Sequence, residues 1–160
     1  MAFTEEEAAF LSSPSYGNYP KTGCIATVAA DGQPDVVGVS YEFDGTYLYI
    51  GGLNQLVSRK YRNVKAGHEK VAIFIDHMDG VRPDSLQWMR IYGTADLVER
   101  KGRFDSKASG AAVDRESSTY IRITPVISWG FNLSGKWFED TEGFDPEKFK
   151  NRASVVRNNH

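Results

Sequence analysis

Hydrophobic and polar positions alternate most clearly between residues 24 and 52, "CIATVAADGQPDVVGVSYEFDGTYLYIGG". Three runs rich in β-branched and aromatic residues are separated by Asp31-Gly32 and Asp44-Gly45. Asp-Gly between such runs is the strongest short-range hairpin signal, because glycine reaches the positive φ that tight turns demand. In the middle run Val37, Val39, Tyr41 and Phe43 fall on one side, and Gly38, Ser40 and Glu42 on the other. That is the period of a half-buried strand.

The rest of the chain extends the pattern. Thr4 is placed to cap a first helix, with Glu5, Glu6 and Glu7 in the opening turn, ending near Ser12 before Pro14. "SRKYRNVKAG" predicts a second, short helix: Ser58 caps it, Val57, Tyr61 and Val64 share a face, and Gly67 stops it. "KVAIFID" is nearly all apolar and suits a central strand. "WMRIYGTADLVER" and "TYIRITP" follow as strands, and "VISWGFN" continues past Pro125. Between them, "KGRFDSKASGAAVDRESS" is polar and weakly helical. The count is about six strands around one central helix. Strands arriving as hairpins, not alternating with helices, predict a mostly β fold, an antiparallel barrel or sheet. We expect a barrel domain over residues 1–135 and a polar, partly disordered tail over residues 136–160.

Composition narrows the function. The 160 residues suit one domain and are 41% hydrophobic and 25% charged. A net charge of −2 gives no global attraction to nucleic acid or to an anionic membrane, so any anion site must be local. The single cysteine, Cys24, cannot form an internal disulfide, and the acidic start lacks a signal-peptide core. No run approaches a membrane span. Together these predict a cytoplasmic protein, in which the Asn132–Ser134 sequon is chance.

One local anomaly points to chemistry. Arg59 and Lys60 occupy the first turn of the second helix, where the backbone dipole disfavours cations. A bound phosphate would reverse that penalty. Ser58, the Arg59 fork and the mobile Lys60 charge suit a phosphate monoester, with Arg62 in reach one turn on. Gly51 and Gly52 leave room for a ligand, and Gly38 could admit a flat ring against the main chain.

Competing signals are weaker. "GFNLSGK" has phosphate-loop spacing, but Trp137 replaces the magnesium-binding hydroxyl residue. "DHMD" around His77 lacks a spaced partner for a metal, and His68 is a turn residue. No catalytic triad is evident. Trp88 and Trp129 are core strand residues by default, or walls of a cofactor pocket at a dimer interface. Arg90 and Arg122 read as exposed barrel positions, or more sharply as a second anion site for an oligoglutamate tail or an acidic substrate.

In order, "GCIATVAADGQPDVVGVSYEFDGTYLYIGG", "SRKYRNVKAGHEKVAIFID", "MRIYGTADLVE" and "YIRITPVISWGFN" resemble the pyridoxamine-phosphate-oxidase-like split β-barrel flavoproteins. The resemblance covers roughly residues 20 to 132, and "YIRITPVISWG" looks most like the branch associated with the deazaflavin F420. It implies a six-stranded antiparallel split β-barrel and a homodimer with cofactors at the interface. It implies F420 or FMN lying against Val36, Val37, Gly38 and Val39, with Ile50, Gly51 and Gly52 lining it. Ser58, Arg59 and Lys60 would hold the phosphate. The implied activity is hydride transfer to a small organic substrate, needing no protein nucleophile. The alternative is a non-catalytic flavin, deazaflavin or haem module on the same barrel. Two departures stand out: the C-terminal arginine–histidine element of true pyridoxamine phosphate oxidases is not visible, and Gly38 stands where many relatives carry proline.

Overall fold

The structure is a computed structural model. It describes residues 2–13, 21–52, 54–78, 86–100 and 118–134. The weakly helical segment after Arg100, the end of the "DHMD" loop and the predicted tail lie outside the described residues.

Helix α1 spans Glu5–Ser12. Its start is a complete capping box: Glu7 N–H donates to Thr4 Oγ1 at 3.2 Å, and Thr4 N–H donates to Glu7 Oε2 at 2.8 Å. Such a cap is worth about 1 kcal/mol. Strand β1 (Lys21–Val28), β2 (Pro34–Phe43) and β3 (Leu48–Ile50) form the predicted double hairpin. Its turns are carried by Gly32 and Gly45, at φ of 82° and 99°. A 3₁₀ turn, Gln55–Val57, leads into helix α2 (Arg59–Lys65), which stops at Gly67 with φ 90°. Strands β4 (Lys70–Met78), β5 (Leu86–Arg100) and β6 (Ser118–Phe131) complete the chain.

The six strands close into an antiparallel barrel in the order β1-β2-β3-β6-β5-β4. The expected split-barrel architecture is what forms. Inward side chains, among them Ile25, Leu48, Ile50, Ile73, Met89, Ile91, Ile121 and Ile123, are fully buried. Helix α1 adds Phe10 and Leu11 to this core. Lys21 ties the helix down: its ammonium donates to the Phe10 and Leu11 carbonyls at the helix end.

Two expectations change. Val57 does not share the buried face of α2 with Val64; it stands in the 3₁₀ turn and is 72% exposed. The 3₁₀ turn breaks the helical phase just before Ser58, so spacing counted through it fails. Strand β4 is apolar on both faces but not buried on both: Val71, Ile73 and Ile75 point inward, while Phe74 is 41% exposed.

Candidate functional site

The predicted phosphate region lies at the start of α2, which packs against β1, β5 and the preceding 3₁₀ turn. Ser58 caps α2 by accepting from Tyr61 N–H at 3.3 Å. Its own hydroxyl proton goes to the Gln55 carbonyl at 2.7 Å. Ser58 therefore shapes the helix start, and in this state its hydroxyl is not a spare donor. Arg59 stands 4.0 Å from Asp35, with side chains 70% and 24% exposed. Asp35 precedes Val36 on β2, so this contact brings the helix start to the predicted ring-binding strand. Lys60 is half-buried. Loss of water holds its ammonium below the usual lysine range, and the Asp35 charge partly offsets this. Arg62 is exposed one turn further on. Asn63 Nδ2 donates to Thr27 Oγ1 at 2.9 Å and docks α2 on β1.

The strand residues divide by face. Val36 and Gly38 point outward, with Val36 65% exposed and nothing within 4 Å of where a Gly38 side chain would begin. Val39 is buried in the core, whereas Val37, of the same strand parity, is 39% exposed. Ile50 is fully buried, and its carbonyl accepts from Gln55 Nε2 at 3.0 Å. Its side chain faces the core, so Ile50 has only its backbone to offer a ligand. Gly52 is exposed, and Gly51 lies flat against Tyr120: a side chain there would start 2.8 Å from that ring. Asp35 and Gln55 contact Arg59 and Ser58, and periodicity did not reveal them.

Trp88 and Trp129 sit elsewhere on the same barrel. Trp88 stacks on Phe131 with ring centroids 5.9 Å apart and lies 5.9 Å from the Phe74 ring. Trp129 meets Tyr92 edge to face at 4.8 Å. Register places Gly38, Cys24, Phe74, Arg90 and Trp129 in one outward row across β2, β1, β4, β5 and β6. Four strand steps span about 19 Å of sheet. Within one chain the tryptophans and Gly38 do not share a pocket.

The remaining signals resolve structurally. Gly130 lies in β6, and residues 131–134 run from strand into turn rather than into a helix, so the described part of "GFNLSGK" is no phosphate loop. Asn132 Nδ2 donates to the Leu86 carbonyl at 3.1 Å. Among the described residues, no three His, Cys, Asp or Glu side chains are grouped to hold a metal. No described helix is long and apolar enough to cross a membrane.

Known proteins match this arrangement. A reductase of Streptomyces rimosus, named for 5a,11a-dehydrotetracycline and 5a,11a-dehydrooxytetracycline, is 37% identical over 135 residues, 81% of this chain and 84% of that protein. A solved structure described as an F420 reductase superposes with TM-score 0.51 at 26% identity, over 68% of this chain and 89% of that one. General stress protein 26 of Bacillus anthracis, at 17% identity and TM-score 0.54 over 71% and 86%, shares the fold. Residues 3–127 match the family described as pyridoxamine 5'-phosphate oxidase, and the chain belongs to that family.

Proposed function

We propose that this protein is a reductase that uses a flavin-type coenzyme, F420 ahead of FMN, to reduce a small organic substrate, and that it works as a homodimer. The observation that carries the reading is the bare outward backbone at Gly38, three residues along β2 from Asp35, which stands 4.0 Å from Arg59 at the helix start. A flat ring fits against main chain there, and a phosphate fits against the two cations. The donor set also suits the group: a planar guanidinium and a desolvated ammonium gain most from a dianion.

The S. rimosus relative is named for dehydro compounds, whose reduction adds a hydride and a proton across a double bond. We extend that reaction class to this chain. The bound coenzyme would supply the hydride. The protein's part is placement. Arg59 and Lys60 anchor the phosphate end, Gly38 and Val36 set the depth of the ring, and Gly51 and Gly52 leave a path between them.

Exposed apolar side chains on the outside of the barrel support the proposed homodimer. Val36, Phe74, Tyr92 and Val126 are 65%, 41%, 43% and 52% exposed. A second copy laid on this face would cover them and bring its Trp88 and Trp129 toward the first copy's Gly38. That removes water from the ring site, which neither chain does alone.

Fluorescence titration of the purified chain with F420 and with FMN tests the reading. Saturable binding, tighter for F420, is expected. Tighter FMN binding reverses the coenzyme order, and failure of both overturns the reductase assignment.

A further inference from the structure

Three arginines on the outer face of the barrel share one arrangement. Arg100 lies over Tyr49 at 4.0 Å and reaches Glu42 at 3.0 Å. Arg122 lies over Tyr47 at 5.0 Å and grips Asp96 through both Nε and Nη2. Arg90 lies over Trp129 at 4.3 Å, with Tyr92 at 5.3 Å. In the first two, an aromatic ring holds the guanidinium and a carboxylate closes its edge. In the third, the rings are present and the carboxylate is not: no acidic side chain among the described residues comes within 4.0 Å of Arg90.

The surroundings sharpen the contrast. Arg90 lies between Phe74 and Trp129 in the outward row, on a face where Phe74, Tyr92 and Val126 are exposed. The donors of a guanidinium lie in its plane, so stacking leaves them open to a partner. An anion there meets a fork already held in place, and covering the apolar face strengthens the attraction by excluding water.

We propose that Arg90, held by Trp129 and Tyr92, binds a carboxylate carried by a small molecule, the substrate or the coenzyme of the reductase. The carboxylate site rests on the geometry of the three arginines. Its assignment to substrate or coenzyme rests on the proposed function, because the dimer turns this row toward the partner's ring site. A carboxylate of a second copy has the same chemistry, and the experiment separates the two sources.

The test uses the full chain, labelled with ¹⁵N and free of added coenzyme. Benzoate and its uncharged analogue benzamide are titrated while the tryptophan indole N–H and arginine Nε–H shifts are followed. Wild type should bind benzoate at least about tenfold more tightly than benzamide. Arg90→Gln should bring the two probes level, and Arg90→Lys should restore part of the preference. Equal binding of both probes by wild type, or a preference that survives Arg90→Gln, overturns the site. Sedimentation of Arg90→Gln separates the sources. An unchanged assembly state supports the small-molecule carboxylate, and conversion of a dimer to monomer overturns it in favour of a second copy. Failure of F420 and FMN binding with the benzoate preference intact would sink the reductase reading and leave the carboxylate site standing. Coenzyme binding without the preference would sink the site alone.

Discussion

Asp35 and Arg59 face each other at 4.0 Å across the join between β2 and α2. This contact answers the charge anomaly at the helix start in the ligand-free protein. The cation disfavoured by the helix dipole has a carboxylate beside it, but one too distant and too exposed for a strong pair. Asp35 is a counter-charge that an incoming phosphate must displace or outcompete. Charge-assisted hydrogen bonds contribute on the order of 1.5–3 kcal/mol, so Arg59→Ala and Lys60→Ala should each weaken coenzyme binding roughly ten- to a hundredfold. Asp35→Asn should tighten it, by up to about fivefold, since exposed pairs are worth at most about 1 kcal/mol. Calorimetric titration of all three variants, with thermal melts of the ligand-free forms, checks both directions. Wild-type affinity in Arg59→Ala and Lys60→Ala would reduce the cations to a solvated face.

Gly38 offers a cleaner separation of folding from binding. Its backbone is not in the left-handed region, and a side chain there meets nothing within 4 Å. Gly38→Val should therefore leave the melting temperature unchanged or raised, because valine favours strands. The same side chain would stand where the ring is proposed to lie, and coenzyme affinity should fall at least about tenfold. A variant that keeps full affinity would move the ring off β2.

Phe74 tests the proposed dimer. It is 41% exposed and rests against Trp88 on the outside of β4, so a charge there costs the isolated barrel little. On a face buried against a second copy, the same charge is expensive. Phe74→Glu should shift sedimentation from dimer to monomer and weaken coenzyme binding in parallel. A dimer that survives the change would place the interface elsewhere.

Lys21 gives the barrel a pH dependence of known sign. Burial lowers its ammonium from 10.5 to about 8 in the folded chain. Below pH 8 it is charged in both states, and the folded state bears the cost of desolvation. Between pH 8 and 10.5 the unfolded chain binds more protons, so stability must rise with pH in that window. The neutral amine keeps two N–H donors for the Phe10 and Leu11 carbonyls. Urea unfolding across this range should show wild type gaining on Lys21→Met as pH rises. A constant difference would mean that Lys21 titrates normally.

Much of the fold is legible in local signals because those signals act locally. The Asp-Gly turns, the alternation in β2, the Thr4 and Ser58 caps and the Gly67 stop each depend on residues within a few positions of one another. They set element type and the face each side chain takes. The site was only half legible. Arg59 and Lys60 were visible as a breach of helix electrostatics, and Gly38 as a gap in a strand. The bond from the Ser58 hydroxyl to the Gln55 carbonyl and the burial of the Ile50 side chain were not legible in the sequence.

Sequence alone determined that this chain makes antiparallel hairpins around a short, basic-start helix, since steric and hydrogen-bonding preferences act between near neighbours. Tertiary structure decided the closure of the barrel and everything that depends on register. It paired Glu7 on α1 with Ser128 on β6, where the hydroxyl donates to Oε1 at 2.6 Å between groups 121 residues apart. It aligned Gly38, Cys24, Phe74, Arg90 and Trp129 across five strands, gave Arg122 a carboxylate and, among the described residues, left Arg90 without one. A slip of one residue between any two of those strands would send the row to the other face. Only the simultaneous burial of the whole core sets that register, and no short stretch of sequence contains it.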